Sequence, residues 1–66
     1  MYIIHNFDEE RIEKRTETTE EAKDYVRAVF ARWVAMGEID IEDMAYFLEG
    51  IESPLMEGGG YVIYEE

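Results

Sequence analysis

Residues 18–53 read TTEEAKDYVRAVFARWVAMGEIDIEDMAYFLEGIES, and they carry the signals for two amphipathic helices. Thr18 followed by Glu21 is a capping box, a hydroxyl and a carboxylate suited to two of the amide donors that a first helical turn leaves free. Ala22, Tyr25, Val26, Val29, Phe30, Trp33 and Val34 then recur at three- and four-residue steps, which makes one broad apolar stripe with Lys23, Asp24 and Arg27 opposite. Gly37 is a natural C-terminal stop. Asp40 can cap a second helix, with Glu42 and Asp43 in its first turn where the helix dipole favours negative charge. Ile41, Met44, Leu48 and Ile51, flanked by Phe47, are expected to face the first helix. Gly50 weakens the end of this helix, and Ser53-Pro54 finishes it.

Outward from the helices, the pattern changes to a period of two. Met1 to Asn6 is β-branched and aromatic, which suits a strand, and residues 7–10 form a turn. From Arg11 to Glu17 the alternation places Ile12, Lys14 and Thr16 on one side and Arg11, Glu13, Arg15 and Glu17 on the other. That fits a charged edge strand, with an irregular or helical linker as the competing reading. After Gly58-Gly59-Gly60, read as a flexible connection, Tyr61-Val62-Ile63-Tyr64 is a short final strand. The expected fold class is α+β: a small ββααβ domain, one three-stranded antiparallel sheet packed on a helical hairpin, with the apolar last strand paired to the first and the first at the centre.

The chain has 66 residues, no cysteine, 17 acidic and 6 basic side chains, and a formal net charge of -11. One domain is all this length allows. Without cysteine there are no disulfide staples, thiolate nucleophiles or thiolate zinc sites, so a reducing, cytoplasmic setting is expected. No apolar run of about 18 residues and no basic-then-apolar leader is present, so neither a membrane span nor a signal peptide is read. Nucleic acid and anionic lipid are polyanions that bind proteins through lysine and arginine, and this charge repels both.

Chemistry-bearing constellations are scarce. His5 is the one histidine and has no nearby partner in sequence for acid-base work, so the chain is not expected to be an enzyme. Gly37 to Asp43 resembles the back half of a calcium loop, but counting back from Gly37 the ligand positions fall on Arg32, Val34 and Met36, which offer no oxygen ligands. The helix-turn-helix order suggests a DNA reader, yet the second helix has only acids on its polar side. The glycine triplet is followed by no lysine, serine or threonine, so it is no phosphate loop. No metal or cofactor is expected.

Charge asymmetry is the strongest feature. Residues 1–32 contain all six basic side chains and eight acids, whereas residues 33–66 contain nine acids and no base. Those nine are interleaved with apolar residues at regular spacing, which reads as folded surface and not as a disordered tail. Glu42, Glu49 and Glu52 are assigned to one helix face, Glu38, Asp40 and Asp43 to its start and Glu57 to just beyond its end. Tyr46 and Tyr64 fall off the apolar stripes and are expected to be exposed. A net charge of roughly 2 to 8 is enough to keep a small domain in solution, and repulsion beyond that works against compactness. The excess therefore points to a use: an ordered field of carboxylates resembling a phosphate backbone, steered into an arginine- and lysine-lined groove.

In size, acidity and lack of catalytic groups the chain resembles the small acidic inhibitors of phages and mobile elements, including anti-CRISPR proteins and other DNA mimics. The resemblance implies a stoichiometric inhibitor that occupies the nucleic-acid channel of a nuclease or DNA-binding protein, in the host cytoplasm if phage-encoded. The partner-binding surface read from the residues is Glu38, Asp40, Glu42, Asp43, Tyr46, Glu49, Glu52 and Glu57. The alternative is a regulatory or assembly module that binds a protein partner through apolar contact or homodimerises through its sheet.

Overall fold

The computed structural model describes all 66 residues. Two apolar strands form the middle of the sheet. β1 (Tyr2–Asn6) and β4 (Tyr61–Glu65) pair antiparallel, from Tyr2 opposite Glu65 to Asn6 opposite Tyr61. Ile4 and Ile63 face each other there, both essentially inaccessible. The charged strand β2 (Arg11–Thr16) takes the edge beside β1, where charged side chains meet water.

On the other side stands a strand the period-two reading does not contain. β3 (Glu57–Gly58) pairs with β4, so the sheet has four strands in the order β2-β1-β4-β3 and the chain order is ββααββ. The α+β class and the β1–β4 pairing hold, while the expected three-stranded ββααβ domain gains a strand. The glycine triplet is the reason: Gly59 and Gly60 have φ of 60° and 87°, the left-handed pair that a two-residue hairpin loop of type I′ requires. It is a tight turn, not a loose connection.

Helix α1 (Thr19–Ala35) starts at Thr18, whose hydroxyl accepts from the Glu21 N–H at 3.1 Å. The Glu21 carboxylate meets that hydroxyl at 3.3 Å instead of reaching back to the Thr18 amide, so only one half of the expected capping box forms. At the other end Gly37, with φ of 76°, donates to the Val34 carbonyl and Glu38 to the Trp33 carbonyl, which is the Schellman closure. Ala22, Val26, Val29 and Phe30 are buried against the sheet, joined by Ile51 from the second helix.

Helix α2 (Ile41–Glu52) has a complete capping box made by two aspartates: Asp43 N–H donates to Asp40 Oδ1 at 2.8 Å and Asp40 N–H to Asp43 Oδ2 at 3.3 Å. Its apolar side is thinner than its spacing promises. Only Ile51 is fully buried; Met44, Phe47 and Leu48 are half-buried and Ile41 is 67% exposed. Ile41 sits in the first turn, before the level at which Phe47 meets Phe30 with ring centroids 5.5 Å apart, so it does not join the interface expected of it.

The β1–β2 ladder contains a bulge. Ile4 pairs with Lys14 and His5 with Ile12, leaving Glu13 without a partner residue. An extra residue rotates the strand locally. Glu13, grouped by the alternation with Arg11, Arg15 and Glu17 on an exposed charged strand, meets Tyr25 of α1.

Candidate functional site

Helical geometry decides which of the expected binding residues share a surface. Glu42, Tyr46 and Glu49 are spaced four and three apart, so they form one stripe along the outer side of α2, and all three are exposed. Tyr46 is 75% accessible, its ring edge-on to Phe47 at 6.3 Å. Beyond the stripe, Tyr46, Glu49 and Glu57 line a shallow hollow of about 380 Å³ whose other lining residues are Phe47, Gly50, Ser53, Gly58 and Gly59. A second hollow of about 540 Å³ shares Glu57 and the glycines and reaches Leu55 and Phe7.

Glycines build this relief. A Cβ on Gly50 would collide with the Glu57 carbonyl oxygen, and one on Gly58 with the Phe47 carbonyl oxygen. Helix and strand backbones therefore touch directly, and side chains flank a bare strip instead of filling it.

The remaining expected residues divide. Glu38 and Asp40 lie in the loop leading into α2, and Asp43 lies in its first turn, all exposed. Asp40 and Asp43 are engaged with each other's amides and thus have a structural duty as well. Replacing Asp40 by alanine is expected to cost about 1 kcal/mol of stability, with asparagine retaining nearly all of it, measured by urea unfolding.

Glu52 departs from the group. It lies three residues past Glu49 but is turned toward α1, where it pairs with Arg27 Nη2 and, at 3.5 Å, with Lys23 Nζ. Arg27 also holds Asp24 at 2.6 Å. The Arg27 hydrogen bond lowers the Glu52 carboxyl below the ordinary carboxylate value, and Glu52 in turn raises Arg27. Glu52 bridges the two helices, with 46% of its side chain still accessible.

Five carboxylates (Glu13, Glu20, Asp24, Glu52 and Glu66) have a basic side chain within 4.0 Å; the other twelve of seventeen have none. Glu38, Asp40, Glu42, Asp43, Glu49 and Glu57 are among the unpaired.

One polar cluster escapes the sequence reading. The Glu13 carboxylate, with 9% of its side chain accessible, accepts hydrogen bonds from Asn6 Nδ2 at 2.6 Å, Tyr61 OH at 2.7 Å and Tyr25 OH at 2.9 Å, with Arg11 at 3.8 Å. Burial opposes its ionisation, but the three hydrogen bonds and then the Arg11 charge outweigh that and hold the carboxyl below its ordinary value. Burial first, and the facing carboxylate second, push both tyrosines up. Every donor is satisfied and the cluster opens on neither hollow, so it ties strands to helix instead of offering a reactive group. No three acidic or histidine side chains are arranged to hold a metal ion.

Compared with known proteins, the chain matches no family model, no curated protein and no solved structure.

Proposed function

We propose that this protein is an acidic, protein-binding inhibitor that mimics nucleic acid and blocks a basic nucleic-acid-binding protein or nuclease. The observation that carries the reading is the outer stripe of α2: unpaired carboxylates on a rigid, capped helix, in a half of the chain without one lysine or arginine. From Glu42 to Glu49 the helix rises about 10 Å, roughly three phosphate-to-phosphate steps along one strand of a duplex. Glu57 and the loop carboxylates Glu38 and Asp40 continue the charge at either end, and Tyr46 supplies an aromatic anchor between them. Unpaired anions on an ordered scaffold need no rearrangement to meet a cationic groove, and their field speeds encounter with one.

The reading is tested by competition. A fluorescent duplex bound to members of a panel of basic nucleic-acid-binding proteins is titrated with the protein while anisotropy is followed. Displacement is expected from at least one member, weakening about tenfold or more as salt shortens the screening length from roughly 30 Å to 3 Å. Affinity that stays flat over that range, or survives charge reversal of Glu42 and Glu49 to lysine, would contradict it.

A further inference from the structure

The sheet has a second face that no helix covers. Ile4, Ile63 and Tyr61 point to the helices and join the core, so the alternate residues lie on the far side. Register places them in two rows: Ile3 with Arg15 and Tyr64, then Ile12, His5, Val62 and Glu57. His5 stacks on Phe7 at 4.5 Å and meets Tyr64 at 6.2 Å. Ile3 is only 2% exposed yet stands outside the main core, so these side chains form a small apolar layer of their own. Its surface is bare, with Phe7 53%, Ile12 44% and Tyr64 40% exposed.

The charges in these rows lie at opposite margins. Arg15, which also pairs with Glu66 at 3.6 Å, is on edge strand β2 and Glu57 on edge strand β3, with uncharged residues between. The geometry points to a second copy of this chain as the occupant of this face. A two-fold axis running along the strands, midway between two stacked sheets, lays β2 of one copy across β3 of the other. Arg15 of each then faces Glu57 of its partner, and the apolar rows close between them. The two rows are offset by two residues, about 7 Å, which an arginine side chain spans. An axis across the strands would set β2 upon β2 and β3 upon β3, gathering like charges at each margin, so charge selects the first arrangement. The contact is isologous and closes at two copies.

The face is small. Strands of five residues, three abreast, bury on the order of 1,000 Å² for the pair, the low end for a specific interface. A weak dimer in rapid exchange is the result. It engages Glu57 but leaves Glu42, Tyr46 and Glu49 of the outer stripe of α2 free, so the dimer displays two acidic helices back to back.

Sedimentation velocity on the full chain, from about 20 μM to 1 mM near physiological salt, reads the dimer through mass action. The weight-average mass is expected to rise with concentration and to level at two copies. Ile12→Glu should remain monomeric throughout. Arg15→Glu and Glu57→Arg should each weaken association about tenfold, and the two combined should associate clearly more tightly than either single, because the swap rebuilds both pairs with reversed sign although the Arg15–Glu66 pair of each copy is lost. A wild-type chain that stays monomeric at the top concentration, growth beyond two copies, or a double swap no better than the singles would overturn the proposal. The wild-type series needs no variant to fold, and no basic partner is present, so its outcome is separate from that of the inhibitor reading.

Discussion

Replacing Glu13 by alanine is expected to remove about 3 kcal/mol or more, enough to lower the melting temperature by some 10 to 25 °C in a domain of this size. Stabilities of 66-residue domains run to only about 3 to 10 kcal/mol, so the variant stands near the edge of folding. Truncation leaves the Tyr61 hydroxyl, on a residue 3% exposed, without its acceptor, and leaves Asn6, 7% exposed, with only the long 3.4 Å bond to Tyr61 OH. It also frees a bulge whose one unpaired residue is anchored by those bonds. Glu13→Gln, which can keep its oxygen where Asn6 and Tyr61 donate and turn its amide to the Tyr25 hydroxyl, should lose about half as much. Thermal and urea unfolding followed by circular dichroism measure both. The same cluster sets a pH signature. Because the folded Glu13 carboxyl lies below its ordinary value, its contribution is present above that value, near 4.5, and disappears as pH falls through the depressed one. The difference between wild type and Glu13→Gln isolates the buried group, and that difference should shrink on going from pH 6 toward 3. On the alkaline side the raised Tyr25 and Tyr61 hydroxyls favour the folded state below about 10, and this contribution is lost as pH rises beyond it.

Alanine at Gly50 should destabilise the protein by about 2 kcal/mol or more, although the same change inside an ordinary helix gains up to about 1. Its Cβ would enter the Glu57 carbonyl oxygen, backbone that cannot swing aside, so α2 and β3 must separate. Gly58→Ala meets the Phe47 carbonyl in the mirror of this contact and should cost as much. Gly37 supplies the comparison: it has open space around its Cβ position but a φ of 76°, so alanine there should cost about 1 kcal/mol and asparagine less. Unfolding midpoints for the three variants separate collision from backbone strain. A Gly50→Ala variant as stable as wild type would mean that helix and strand do not touch.

The elements with strong local signals were legible before any coordinates. Thr18, Asp40, Gly37 and Pro54 bound both helices, and the alternation in residues 1–6 and 61–64 marks the central strands. What escaped has non-local causes. A two-residue strand has no period, so β3 follows only from the left-handed pair Gly59-Gly60 and the neighbouring β4. Glu13 reads as one more exposed charge until a bulge, which leaves no mark in the alternation, turns it toward Tyr25. Gly50 reads as a weak helix residue, but its absent side chain admits a strand. On α2, spacing puts Glu42 and Glu49 on one face and leaves Tyr46 exposed, as the helix has them. It misplaces Glu52, because three residues of helix rotate it back toward Arg27, whose position depends on how the two helices pack.

Neutralising equal charge on different faces distinguishes a docking surface from a merely acidic protein. Glu38, Glu42 and Glu49 changed together to glutamine remove three unpaired carboxylates from α2 and the loop before it without touching a cap; Glu9, Glu10 and Glu17 changed likewise remove three from the β1–β2 turn and the end of β2. With the affinity of each for a displaced nucleic-acid-binding protein measured across a salt series, the first variant should bind at least about tenfold more weakly with a shallower salt slope, and the second within about threefold of wild type. Equal losses in both would show that net charge alone governs binding and that the α2 face has no special part in it.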